Sequence, residues 1–256
     1  MGADMPVEKL IVIVLLAFVC ECVDSTLGMG YGTTLTPILL TLGFEPIVIV
    51  PAVLFSEAIT GILAGICHHE FGNVNLRPGT RDFKIFLVLS GLSLAGVLVA
   101  VLIALNLPAW VVKLYIGILV LGLGVGILKN HRKEMEFSWR RIAGLGWLAA
   151  FNKGISGGGY GPVVTSGQVL AGVRGSTAVG IASLAEGLTS VLGVIIYLLS
   201  GASIAWSLAL PLVIGAVLSV PLSAYVVSRL PTGRLAFLIG GVSTALGSYT
   251  LISLIS

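Results

Sequence analysis

The sequence predicts an all-α polytopic membrane protein made of two inverted-topology repeats. Each repeat is a broken, re-entrant glycine-rich helical segment followed by three transmembrane helices. Three observations carry this expectation. Apolar residues make up 57% of the 256-residue chain and charged residues only 10%, against about 25% charged in an ordinary soluble domain. The apolar residues gather into stretches of bilayer-crossing length, and the glycine pattern of the first half returns in the second. With a mean hydropathy of +1.09 there is too little polar surface to coat a soluble globule. A net charge of +3 spread over short loops makes no face for nucleic acid.

Full-length spans are expected at 47–67, 84–105, 109–128, 176–199, 204–228 and 235–255. Each holds 20 to 25 residues, enough for a tilted helix to cross the bilayer. Inside lipid the backbone must satisfy its own hydrogen bonds, so all six should be helical. Two stretches do not fit that pattern. Residues 9–42 and 142–171 would measure ~51 Å and ~45 Å as single helices, too long for one crossing and too short for two. Each is interrupted by glycines, at Gly28-Met29-Gly30-Tyr31-Gly32 and at Gly157-Gly158-Gly159-Tyr160-Gly161. They read as broken helices that fold back as re-entrant hairpins. The apolar run from Leu10 follows Asp4 and Glu8 and has no A-x-A site after it, so it is expected to be retained as part of the fold rather than cleaved as a signal peptide.

The two broken segments are copies. An offset of 129 residues superimposes Gly28 on Gly157, Gly30-Tyr31-Gly32 on Gly159-Tyr160-Gly161, Thr36 on Thr165, Gly43 on Gly172, Glu57 on Glu186 and Thr60 on Thr189. Further on, Leu107-Pro108 matches Leu230-Pro231 and Gly117 matches Gly240 at an offset of 123. The long loop 67–84, against the short 200–203, absorbs the difference. The chain is thus expected to hold one repeat in 1–130 and a second in 138–256, joined in one membrane domain.

Basic residues favour the cytoplasmic side of short loops, and this decides between parallel and inverted copies. If each broken segment enters and leaves on one face, the inner loops hold Arg77, Arg81, Lys84, Lys129, Arg132, Lys133, Arg140, Arg141, Arg174, Arg229 and Arg234. Only Lys9 and Lys113 are then outside, with Lys153 in the membrane. Single crossings would move Arg174, Arg229 and Arg234 outward. The inverted arrangement is therefore expected, with loops 68–84 and 129–141 cytoplasmic and both termini outside.

In such a protein the two broken segments meet near the midplane. Glycines at Gly28, Gly30, Gly32, Gly157, Gly159 and Gly161 let backbone N–H groups approach a ligand. Each break starts a short helix whose N-terminus attracts an oxyanion. Thr33 or Thr34 can cap the first, and Gly161-Pro162 suits the cap and first turn of the second. The competing reading of the glycines is close helix packing. Tyr31 and Tyr160 can donate hydroxyls to an anion, close a gate, or fill space between the hairpins. Lys153 can supply positive charge to the anion or pair with Asp24, its partner at the repeat offset. Glu21 lies one turn before Asp24.

Glu57 and Glu186 each lie about ten residues into a full span. A carboxyl group held away from water can take up and give back a proton during transport, so Glu57, Glu186 and Asp24 are candidates for proton coupling or gating. The structural alternative is that the two glutamates accept N–H groups of the facing hairpin. His68, His69 and Glu70 are expected as interfacial loop residues. Cys20, Cys22 and Cys67 form no C-x-x-C pair and read as small buried hydrophobes. No metal site and no cofactor are expected.

The segment Leu27-Gly28-Met29-Gly30-Tyr31-Gly32 with Pro37, its copy Gly157-Gly158-Gly159-Tyr160-Gly161-Pro162, and the acidic residue in the following span of each copy together resemble the sulfite exporter TauE/SafE family. The resemblance covers nearly the whole chain. It implies export of small sulfur-containing anions, sulfite or sulfonates such as sulfoacetate, across a bacterial inner membrane. Asp24 against Lys153, and Met29 against Gly158, make the two halves of the site unequal.

A secondary transporter of a small anion, working by alternating access, is the reading the residues favour. No G-x-x-x-x-G-K-[ST] loop is present to use ATP. Two other classes stay open. A channel is suggested by Gly-Tyr-Gly, although the potassium filter needs four such strands. An intramembrane enzyme would need a nucleophile and base, yet all three histidines lie at or beyond span ends. The expected partners are the anion and the lipid bilayer, with a homodimer open beside a monomer.

Overall fold

The computed structural model describes residues 6–104, 109–130, 135–156, 160–199, 201 and 203–252. Among them there is no strand, and ten helices follow one another: α1 (Val7–Leu27), α2 (Tyr31–Thr41), α3 (Pro46–Glu70), α4 (Arg81–Ala104), α5 (Ala109–Asn130), α6 (Trp139–Ser156), α7 (Tyr160–Leu170), α8 (Gly175–Leu199), α9 (Trp206–Arg229) and α10 (Thr232–Ile252). The order long, short, long, long, long occurs twice. α3, α4, α5, α8, α9 and α10 fall where the six spans were expected. Five helices of the described residues (α1, α3, α8, α9 and α10) are long and apolar enough to cross a membrane. The chain is a multi-pass membrane protein.

The two broken segments are hairpins. Lys9, in the first turn of α1, donates its ammonium to the carbonyl of Leu42 just past α2 (3.1 Å) and lies over the Phe44 ring. The first segment therefore begins and ends at one end of the bundle. In the second, the Ser138 N–H donates to Ala171 O (3.1 Å) and the Arg141 guanidinium donates to Leu170 O (3.1 Å). The limbs are unequal. α1 has 21 residues, ~31 Å of helix, so it reaches deep into the bundle, whereas α2 has 11.

The hairpins open at opposite ends. α3 begins next to Phe44 and runs 25 residues, ~37 Å, to a far end where Arg77, Arg81 and Arg174 surround one cavity. Arg81 there stacks on Phe137 (5.0 Å), beside the mouth of the second hairpin. Phe71 packs edge-on against Tyr225, over which Arg229 lies. The basic loops around 68–84 and 135–141 thus share one end, and Lys9 marks the other.

Between helices in lipid there is no hydrophobic driving force, so close backbone approach does the work. α3 and α8 cross at Gly61 and Gly187: a methyl group added to Gly61 would sit 2.6 Å from both Gly187 Cα and Ser183 O. Leu54 lies against Gly193, and Leu184 against Gly65, so these repeat counterparts run antiparallel. α5 and α10, also counterparts, do the same. Gly117 faces Leu251, Gly124 faces Thr244, and Ile127 faces Gly240. α1 and α9 run parallel, with Val14 against Gly215 and the Ser223 hydroxyl donating to Cys22 O (3.3 Å).

The outer faces are apolar. Ile11, Leu15, Val19 and Val23 make one exposed stripe on α1, and Leu210, Ile214, Leu218 and Leu222 another on α9. The spacing of four residues keeps each set on one side of its helix, facing lipid. Exposed Trp206 and Trp110 lie toward the Lys9 end and Trp139 toward the basic end, at the levels where amphipathic rings favour a membrane–water interface.

Candidate functional site

The two glycine-rich tips meet inside the bundle. Gly28 ends α1 in the left-handed region (φ 71°) and donates its N–H to Asp24 O (2.6 Å). Its own carbonyl accepts the Thr165 hydroxyl of α7 (2.8 Å). Gly161 packs so closely on this turn that an added methyl would lie 2.6 Å from Gly28 O and 2.8 Å from Met29 Cα. Met29 is fully buried and receives the Ser243 hydroxyl on its sulfur (3.5 Å). Tip one is therefore seated on α7 and α10 and held by backbone contact.

The start of α2 is capped by the chain's own carboxylates. Tyr31 donates its N–H to Asp24 Oδ1 (3.0 Å), so Asp24 bridges the break with both its main chain and its side chain. A methyl on Gly32 would fall 2.7 Å from Glu57 Oε1, which places that carboxylate against the first turn of α2. The Thr34 N–H bonds Gly30 O (2.9 Å), so Thr34 lies inside the helix and does not cap it. Negative charge at a helix N-terminus is favourable, and Asp24 and Glu57 lie there, whereas Thr34, one of the two caps expected from sequence, does not. In the second hairpin α7 already begins at Tyr160. Gly161 and Pro162 hence occupy the first turn, where an absent proline N–H costs nothing. Gly157 and Gly159 lie outside the described residues, as do the side chains of Thr33, Lys153 and Tyr160.

Beside the tips is a cavity of about 10 Å³ lined by Glu21, Asp24, Glu57, Thr60, Gly61, Ser183 and Glu186. That is room for about one water molecule. Glu57 and Glu186, 129 residues apart, and Asp24 are brought together here. Ser190 donates to Glu57 Oε2 (3.0 Å), and Thr60 and Ser25 donate to the two oxygens of Glu21 (3.3 and 2.6 Å). The Ser183 hydroxyl, 3% exposed, faces the cavity with no hydrogen-bond partner among the described residues. Tyr31 is buried at the edge of this set, its hydroxyl bonded to Ser56 Oγ (2.8 Å).

Glu21 is the acidic lining residue that the sequence alone gives no role of its own. An acidic residue in an apolar run was the available signal, but its repeat counterpart is Ala150, so symmetry did not mark it.

His68 corrects a second expectation. It is fully buried in α3 rather than placed in an interfacial loop. Asn73 Nδ2 can only donate, so its bond to His68 Nδ1 (2.9 Å) leaves the Nε2–H to donate to Ser25 O (2.9 Å). Asn73 also donates to Ala224 O (2.8 Å), and Thr177 donates to Asn73 O (3.0 Å). A hydrogen-bonded chain Glu21–Ser25–His68–Asn73–Thr177 therefore joins the carboxylate cavity to the basic end. His68→Ala strips the Ser25 carbonyl and one N–H of the Asn73 amide of a buried partner, each worth about 1–3 kcal/mol when left unsatisfied. The thermal midpoint of the purified protein is expected to fall by several degrees, and an unchanged midpoint would remove His68 from this role.

At that end a second cavity, of about 510 Å³, is lined by His69, Asn75, Arg77, Arg81, Arg174 and Thr177 among others. From the sequence these arginines serve only as markers of membrane orientation. What the two cavities offer together is a basic opening at one end and buried carboxylates at the centre.

A family model described as "Sulfite exporter TauE/SafE" matches residues 13–250. The chain is also similar to the "Probable membrane transporter protein YtnM" of Bacillus subtilis (strain 168), at 28% identity over 260 residues, covering 96% of this chain and 84% of that protein. No solved structure matches it.

Proposed function

The chain belongs to the sulfite exporter TauE/SafE family and is a membrane transporter, and from this premise we propose that it moves small sulfur oxyanions, sulfite or organosulfonates such as sulfoacetate, by alternating access between its two hairpin tips. The observation that carries the reading is the contact of Gly28 and Met29 with Gly161, between hairpins that open at opposite ends, over a cavity shared by both halves. The antiparallel pairing of α3 with α8 and of α5 with α10 supports inverted repeats. The basic loops gathered at one end support a cytoplasmic end there, with export running away from it.

The substrate site in this reading comprises Gly28, Gly30, Tyr31, Gly32 and Thr33 with Lys153, Gly157, Gly159, Tyr160 and Gly161. Glu57, Glu186 and Asp24 are the coupling or gating groups, and Glu21 joins them. At about 10 Å³ the cavity is too small for sulfite, so the tips must part to admit an anion. Ionised carboxylates would repel that anion. A protonated carboxyl carries no charge, so the anion binds best once these groups have taken up protons, and proton and anion travel in the same direction.

Flux of labelled sulfite and sulfoacetate into proteoliposomes tests the proposal, with a pH-sensitive dye in the lumen. Saturable uptake of one of the anions, accompanied by acidification of the lumen, is expected. Absence of flux for both would overturn the substrate class. Flux without any proton movement would overturn the coupling.

A further inference from the structure

We infer that the cavity at the basic end is a binding vestibule for a small tetrahedral or pyramidal oxyanion, held by Arg77, Arg81 and Arg174. Its volume of about 510 Å³ falls in the range of small-ligand sites and far exceeds what sulfite needs. Three arginines and one carboxylate, Asp82, line it, and that carboxylate is already engaged. Its Oδ2 accepts the Asn75 N–H (3.0 Å), and its Oδ1 lies 3.9 Å from Arg81 Nε. Positive charge therefore remains in excess around the cavity. Arginine is also the residue whose planar fork matches sulfur and phosphorus oxyanions.

The backbone adds to this charge. Arg81 and Asp82 form the first turn of α4, behind the cap where Thr80 Oγ1 accepts the Phe83 N–H (3.3 Å). Thr177 belongs to the first turn of α8, which starts just after Arg174. Two helices of 24 and 25 residues thus direct their positive ends at one cavity. Arg81 is steadied over Phe137 (5.0 Å), and Arg174 donates Nε–H to Ser176 Oγ (3.0 Å), so these two guanidiniums are held at the cavity. The floor is the Thr177–Asn73 bond, one end of the chain that reaches Glu21 at the central cavity.

The oxyanion has two possible sources, the free anion in solution and the phosphate of an anionic lipid at the membrane surface. The inference deepens the transport reading by adding a station on the anion's route. It rests on that reading for its role but is tested by binding alone, so either can fail without the other.

The experiment uses the full chain in nanodiscs. In phosphatidylcholine, sulfite and sulfate are titrated calorimetrically into wild type, into the double variant Arg77→Gln/Arg174→Gln, and into Arg174→Lys. With added phosphatidylglycerol, native mass spectrometry counts the anionic lipids retained. Loss of two charge-assisted contacts is expected to weaken sulfite binding by about tenfold or more, with Arg174→Lys in between and wild-type affinity falling as salt rises. Unchanged sulfite binding with fewer retained phosphatidylglycerols would assign the same site to a lipid phosphate. Unchanged anion affinity together with unchanged lipid retention would overturn the inference. Arg77 and Arg174 are exposed, so the variants should fold, and a wild-type elution profile and thermal midpoint check that they do.

Discussion

Gly161→Leu is expected to abolish sulfite flux in reconstituted vesicles, and Gly161→Ala to reduce it at least about tenfold. The atoms that a Cβ would meet, Gly28 O at 2.6 Å and Met29 Cα at 2.8 Å, are backbone and cannot rotate aside. Overpacking of this kind costs about 1–3 kcal/mol, and here the strain falls on the contact between the two hairpins. Thr165, one turn further along α7, would be pushed from its bond to Gly28 O as the tips separate. A variant that elutes as a folded monodisperse species yet carries no flux is the expected result. Wild-type flux in Gly161→Leu would mean the tip contact has no part in transport.

Glu57→Gln is expected to uncouple anion movement from protons while leaving anion flux in place. Glutamine keeps the shape beside Gly32 and an oxygen that can accept from Ser190, but it cannot take up a proton. If carboxyl protonation is what admits the anion, the variant resembles the protonated form permanently. The lumen should then no longer acidify as sulfite enters, and the response of the rate to a pH gradient should shrink by about tenfold or more. Glu186→Gln, on the other repeat, is the companion variant. Coupling that survives in both variants would remove these two residues from the proton path.

Much of this arrangement was legible in the sequence because lipid imposes period and length. The six spans follow from apolar runs of 20 to 25 residues, and the hairpins follow from glycines recurring at a fixed offset. The cap of α2 was not legible, because Asp24 reaches it across a turn whose geometry depends on Gly28 at φ 71° and Gly30 at φ 129°. The burial of His68 depends on Ser25 of α1 and Gly180 of α8, distant in sequence, and a histidine at the end of an apolar run looks the same whether it meets water or a neighbouring helix. The basic cavity is illegible in the sequence for a related reason. Arg77 and Arg174 lie in different halves of the chain, and only the antiparallel crossing of α3 and α8 puts the loop after one beside the start of the other. Glu21 stands opposite Ala150 at the repeat offset, so symmetry does not mark it.

The account stands on the carboxylate cavity being reached in turn from the two sides of the membrane, and Ser183 reports on this most directly. Its hydroxyl faces the cavity without a partner among the described residues, so Ser183→Cys places a thiol there with little rearrangement. The variant is made in a chain carrying alanine at Cys20, Cys22 and Cys67, and its sulfite flux is confirmed first. A membrane-impermeant thiol reagent is then applied to one face of sealed vesicles at a time. The account predicts slow labelling of the resting protein and faster labelling during sulfite turnover, with the favoured face changing when the anion gradient is reversed. A thiol that stays unlabelled from both faces during turnover would contradict it and leave the carboxylates as a structural core.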